Sequence, residues 1–174
     1  MGTLAKTPDR DSSWIREFFE LGWKVHCFSS AVEVKGPSFL RRVKKRFCIG
    51  KEYRGMKKEL IELCQEVKPA WIHFRLPVQF DQHTLKSIKN HVPIVTQYFN
   101  DDPFSKLGTT GLHWKFRRAL QVYDLHFVYR AKNVEDFRRA GVKNVHHCPP
   151  FYDQKVHSKE HLNGSGKFIA DAAF

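Results

Sequence analysis

Two neighbouring carboxylates are the first residues in this chain that could do chemistry. Asp101 and Asp102 stand in NDDP, directly after VPIVTQYF (92–99), an apolar run that predicts a buried strand. In an open parallel sheet, sites lie beyond the carboxyl ends of the strands. A carboxylate there can take a proton from a hydroxyl group or accept its hydrogen bond. Asp-Asp-Pro is also typical of a turn that leads into a helix, so two interpretations stay open.

Two polar side chains follow other predicted strands and could bind substrate at the same edge. Arg75 ends AWIHFR, and a guanidinium there suits a phosphate or an acidic sugar. The alternative is a surface ion pair between Arg75 and Asp81. Asn133 follows DLHFVYR, near the start of a predicted helix. It could reach the cleft or cap that helix.

A helix after the acidic loop supplies two further candidates. His113 and Lys115 follow the glycine-rich segment 108–111, which lacks the pattern of a phosphate-binding P-loop. We assign His113 to catalysis together with Asp101 and Asp102. Lys115 is assigned to substrate binding.

Net charge points to a different kind of partner. Thirty Lys and Arg against eighteen Asp and Glu give +12, and the excess concentrates in KGPSFLRRVKKRFCIGK (35–51). The predicted anion or membrane contacts are Arg41, Arg42, Lys44, Lys45 and Arg46. A basic amphipathic helix gains about 1 kcal/mol per basic residue near an anionic membrane. Phosphate-rich acceptors or nucleic acid would feel the same field, and a solvated basic face is the alternative.

Short apolar runs alternate with helical patterns along the chain, which predicts an α/β fold. We expect a Rossmann-like parallel sheet flanked by helices. The predicted strands are 23–30, 70–76, 92–99, 124–130 and 142–148. The predicted helices are 11–22, 52–67, 81–90, 112–123 and 131–140.

One stretch carries a family resemblance. From Tyr123 the chain follows the pattern YDxxFxxxxxN, and from Glu135 it follows the pattern xxxxxxGxxxVxxxPxxxD. The matching residues are Tyr123, Asp124, Phe127, Asn133, Gly141, Val145, Pro149 and Asp153. This resembles the end of the N-terminal domain in two-domain glycosyltransferases of the GT-B fold, particularly the CgeB-like group and group 1 enzymes. YFNDDP is similar to their acidic loop, and the resemblance covers about residues 51–153.

The resemblance implies an acceptor-binding domain over residues 1–153, then a linker and the start of a second domain over 154–174. Such an enzyme moves a sugar from a nucleotide-sugar donor to a hydroxyl acceptor, and its C-terminal domain holds most of the donor. This chain alone would then be inactive. The resemblance implies no metal or other cofactor. The alternatives are a basic module that binds nucleic acid or an anionic surface, and a nucleotide-sugar epimerase on the same half-fold.

The cysteines and the hydropathy of the sequence indicate the cellular compartment and the kind of membrane contact to expect. Four scattered cysteines without a CxxC pair fit reduced thiols in the cytoplasm. His146, His147 and Cys148 do not form a metal set, because neighbours on a strand point to opposite faces. The sequence contains no transmembrane run or signal peptide, so any contact with the inner membrane face would be peripheral. It also has no motif for specific nucleic acid recognition.

Overall fold

The computed structural model describes residues 12–105 and 110–149, and the chain divides into two compact units. The described part of the smaller unit is 12–25, and it holds helix α1, Ser12–Glu20. Beyond α1, Gly22 adopts the left-handed φ of +81° that glycine favours at a helix end. Its N–H donates to the carbonyl of Phe19 at 2.9 Å. The predicted domain boundary at 153/154 lies outside the described residues.

The larger unit, described over 26–105 and 110–149, contains a parallel sheet whose strand order is β1-β2-β3-β4. Its strands are β1 Trp71–Arg75, β2 Ile94–Phe99, β3 Leu125–Val128 and β4 Val145–His147. Its helices are α2 Ser38–Phe47, α3 Lys51–Val67, α4 Gln82–Lys89, α5 Thr110–Ala119 and α6 Ala131–Arg139, with a 3-10 turn at Leu120–Val122. The predicted Rossmann-like α/β fold is confirmed.

Aromatic side chains join the sheet to the helices that cross over between its strands. Phe116 of α5 stacks on Phe99 of β2, with ring centroids 4.5 Å apart. It also meets Phe137 of α6 edge-on at 6.1 Å. Phe99, Phe116 and Phe137 are fully buried. These contacts place α5 and α6 against one face of the sheet, as expected when right-handed crossovers join strands in sequential order.

The strand predicted at 23–30 is wrong. Residues 23–35 form neither helix nor strand. Val34 is nevertheless buried, and Phe28 and Val32 pack against the core from the side. Phe28, one of the apolar residues that suggested a strand, therefore packs on the core from a segment that pairs with no strand among the described residues.

Asp81 begins α4 and ties that helix to α3. Its Oδ1 accepts the backbone N–H of Thr84 at 2.9 Å, and its Oδ2 accepts from Lys57. Burial alone would raise the pKa of Asp81, but Lys57 and the Thr84 N–H outweigh it and bring the pKa to about 2. The carboxylate is therefore both helix cap and ion-pair partner.

We expect Asp81→Ala to lower the free energy of unfolding by about 1–3 kcal/mol at neutral pH, because cap and ion pair are lost together. Urea unfolding measures this. Asp81→Asn keeps a capping oxygen and should lose less than the alanine variant. Equal stability of wild type and Asp81→Ala would contradict the capping role.

Candidate functional site

Two of the predicted residues meet just beyond the ends of β2 and β3. Asn133 donates from Nδ2 to Oδ1 of Asp102 at 2.9 Å. Lys132 approaches the other carboxylate oxygen, with Nζ 2.8 Å from Oδ2. Asn133 is fully buried, whereas Lys132 is exposed. The structure thus brings the acidic loop after β2 and the start of α6 together at the carboxyl edge of the sheet.

Asp102 also forms the turn that its sequence suggests. Its Oδ1 accepts the backbone N–H of Phe104 at 3.0 Å, so one oxygen serves the turn and Asn133. Burial alone would raise the pKa of Asp102, but Lys132, the Phe104 N–H and Asn133 lower it below its usual value. A carboxylate so stabilised is a weak base, and it suits a positioning role better than proton abstraction.

Asn133 does not cap α6, because Arg130 occupies the N-cap position and Asn133 is the third residue of the helix. Its Nδ2 makes a second hydrogen bond, to Oδ2 of Asp136, at 3.3 Å. Its Oδ1 is buried without a hydrogen-bond partner in the described part of the chain. A buried acceptor without a partner is costly and is often found at functional sites.

His113 lies on α5 against Phe99, with the ring centroids 5.4 Å apart and edge to face. It is buried, at 5% exposure. Burial lowers its pKa below the ordinary value, while the charges of Asp101 and Asp102 act in the opposite direction. The imidazole is therefore neutral near pH 7 and carries a lone pair that can accept a proton. Asp101 is exposed beside this group.

Arg75 and Lys115 lie elsewhere. Arg75 is exposed at the end of β1, next to Tyr98, and β2 separates it from β3. Burial raises the pKa of Tyr98, and the charge of Arg75 partly opposes that rise. Lys115 donates from Nζ to the backbone carbonyls of Phe47 and of Cys48, the latter at 3.1 Å. Lys115 therefore holds the end of α2.

The basic segment forms helix α2, and none of its residues is buried. The exposed cations are Arg41, Arg42, Lys45 and Arg46. Lys44 is half-buried and pairs with Glu52 at 3.4 Å. Four of the five predicted anion contacts are thus presented on the surface, whereas Lys44 is turned towards Glu52.

Sequence reasoning missed two residues of the carboxyl-edge cluster, Lys132 and Asp136. Their Nζ and Oδ2 atoms are 3.6 Å apart across one helical turn. The signal was present, because residues four apart on a helix are neighbours on its surface. Their placement at the start of α6, directly after β3, could have linked them to Asn133.

A separate cavity of about 520 Å³ lies between segment 29–33 and α3. Its lining residues are Ser29, Ala31, Val32, Glu33, Lys51, Glu52, Gly55, Met56 and Glu59. No predicted site residue lines this cavity. It therefore does not take part in the arrangement at the carboxyl edge.

Within residues 12–105 and 110–149, no group of three His, Cys, Asp or Glu side chains could hold a metal ion. The Nε2 atom of His147 lies 3.0 Å from the carbonyl oxygen of Tyr129. This ring nitrogen is therefore engaged in a hydrogen bond. Over the same residues, no helix has the length and hydropathy needed to cross a membrane.

Comparison with protein-family models, with curated proteins and with solved structures gives no match for this chain. Fold and site together describe a Rossmann-like α/β domain with a polar cluster at the carboxyl edge of its sheet. The glycosyltransferase resemblance remains a prediction.

Proposed function

We propose that this domain binds a hydroxyl acceptor at the carboxyl edge of β2 and β3 and is the acceptor side of a glycosyltransferase. The observation that carries the proposal is the meeting of Asp102 and Asn133 at 2.9 Å. A fixed polar pair at the edge where open α/β sheets bind ligands suits recognition of a polar molecule.

His113 supplies the proton acceptor in this proposal. Its lowered pKa keeps the ring neutral at pH 7, so the imidazole can take the acceptor's hydroxyl proton. The acceptor oxygen then bonds to the anomeric carbon of the donor. The bond from that carbon to the diphosphate breaks, and the leaving group takes the electron pair. The charges of Asp101 and Asp102 stabilise the imidazolium that forms, as a carboxylate does in a hydrolase triad.

The nucleotide-sugar donor is assigned mainly to a second domain, as the resemblance implies. A cytoplasmic setting belongs to the same proposal. Its support is that all four cysteines are free thiols, and that burial raises the pKa of Cys27, Cys48 and Cys64. Free thiols, two of them buried, fit a reducing compartment.

The test is acceptor binding by the 174-residue chain. We expect neutral oligosaccharides to bind with dissociation constants of about 1 mM, and His113→Gln to weaken the best of them about tenfold by removing the hydroxyl's partner. Isothermal titration or ligand-observed NMR measures this. His83→Gln, the same change at an exposed position on α4, is the matched control and should bind like wild type.

Two results would contradict the proposal. Equal binding by the His113 and His83 variants would remove His113 from the site. Conversion of a nucleotide-sugar by the chain without any acceptor would favour the epimerase alternative.

A further inference from the structure

Helix α2 carries the densest positive charge in the described structure. Five of its ten residues are cations, and none is acidic. Four of the five are exposed. Only Lys44 turns inward, towards Glu52. The positive electrostatic potential of clustered, exposed cations attracts an anionic partner.

The same helix also exposes large apolar side chains. Phe39, Leu40 and Phe47 are 73%, 51% and 40% exposed, and Ile49 follows the helix at 46%. Leu40 and Phe47 lie on one side of the helix because seven residues span about two turns, and Phe39 borders that side about 100° away. A helix that combines an apolar face with a cationic one suits the boundary between lipid headgroups and acyl chains.

The surface is fixed to the rest of the domain. Cys48 ends α2 in the left-handed conformation, with φ of +47°, and its N–H donates to the carbonyl of Lys45 at 3.3 Å. Lys115 of α5 bonds the carbonyls of Phe47 and Cys48. Because these bonds hold its C-terminal end, α2 is presented as a preformed element.

Trp114 of α5 is a further exposed aromatic side chain, and it precedes the Lys115 that contacts the end of α2. It is 38% exposed, and Lys115 Nζ lies 5.7 Å from the centre of its ring. Arg118 approaches the same ring at 5.3 Å. Tryptophan is enriched at the membrane–water interface, where its apolar body and polar N–H are both satisfied.

We propose that α2 and Trp114 form a docking surface for an anionic lipid bilayer. Charge complementarity selects an anionic partner. The exposed Phe39 and Leu40 select a lipid over a nucleic acid, because phosphate contacts alone would leave them in water. This inference does not rest on the proposed acceptor site, and each can fail without the other.

The test is co-sedimentation of the 174-residue chain with lipid vesicles at physiological salt. We expect at least about tenfold stronger binding to phosphatidylcholine vesicles that contain about 30% phosphatidylserine than to phosphatidylcholine alone. Arg42→Glu/Arg46→Glu should weaken binding by more than about thirtyfold. Each basic residue near the surface contributes about fivefold to the affinity, and the two new carboxylates add repulsion. Phe39→Ser/Leu40→Ser should weaken it by about tenfold or more.

Lys86→Glu/Lys143→Glu is the matched control, since it changes net charge equally at exposed positions outside α2. It should stay within about threefold of wild type, because exposed charges farther apart than about 8 Å are screened at this salt. Equal loss in the control and in Arg42→Glu/Arg46→Glu would overturn the proposal. Unchanged vesicle binding by Phe39→Ser/Leu40→Ser would also overturn it. Binding to duplex DNA that is tighter than vesicle binding would assign the surface to nucleic acid instead.

Discussion

Phe116→Ala should lower the free energy of unfolding by about 3–5 kcal/mol, the range measured for large-to-small changes at buried aromatics. Phe116 is fully buried and meets Phe99 at 4.5 Å and Phe137 at 6.1 Å. Its removal would open a cavity between the sheet and two helices. For a domain with a typical stability of about 5–15 kcal/mol, that is a large fraction of the total. Urea unfolding followed by circular dichroism measures the change.

Phe39→Ala is the matched control, because Phe39 is 73% exposed on α2. It should change stability by less than about 0.5 kcal/mol. If Phe116→Ala leaves too little folded protein to measure, Phe116→Leu should also lower the free energy of unfolding, but by a smaller amount. Equal stabilities of the Phe116 and Phe39 variants would contradict the packing described for the core.

Acid should destabilise the domain through a buried histidine. His126 is fully buried; its Nε2 donates to the carbonyl of Leu120 at 2.9 Å, and its Nδ1 lies 2.9 Å from Nε2 of Gln97. Burial lowers the pKa of His126 to about 4. An unfolded imidazole takes its proton near pH 6.5, so the unfolded state binds more protons below that pH.

The stability that this residue supports is therefore complete above about pH 6.5, and it falls as the pH drops towards 4. The expected loss is about 3 kcal/mol, at 1.36 kcal/mol per pKa unit. His73, whose pKa burial also lowers to about 4, adds a contribution of the same sign. Urea unfolding at several pH values between about 7 and 4.5 follows the decline.

Gln97→Leu/His126→Phe isolates the His126 contribution. Replacing both side chains by apolar groups of similar shape avoids leaving either side chain buried without the other. The carbonyl of Leu120 loses its donor, which lowers stability at every pH, so the readout is the pH dependence. The double variant should lose the His126 part of the pH dependence, whereas exposed His83→Gln should keep the wild-type dependence. If the free energy of unfolding of the double variant fell with pH as steeply as that of wild type, groups other than His126 would be responsible for the acid sensitivity.

The helices and inner strands were predictable because their patterns are local. The periodic apolar residues of α3 predicted a helix, and the continuous apolar residues of β2 predicted a strand. Asp81 indicated the start of α4, and Gly141 indicated the end of α6. The false strand at 23–30 shows where this fails. A pattern of alternating apolar residues predicts that their side chains are buried against the core. Whether another strand lies beside them depends on the tertiary structure.

The candidate site was predictable in part for the same reason. Parallel strands bring their carboxyl ends to one edge, so the proximity of Asp102 and Asn133 followed from the predicted topology. The inward turn of Lys115 towards the end of α2 did not follow, because α2 and α5 are distant in sequence. The ion pair of Lys132 with Asp102 likewise depends on the path of the loop after β2.

The most direct test of the acceptor-site proposal is to map a bound sugar on the isotopically labelled chain by amide chemical-shift perturbation. Concentrations up to about 10 mM are suitable for the weak affinity expected of an acceptor domain. The account predicts that the largest shifts fall on Asp101, Asp102, His113 and Asn133. Shifts confined to the cavity between segment 29–33 and α3, or no shifts with any sugar tested, would contradict it.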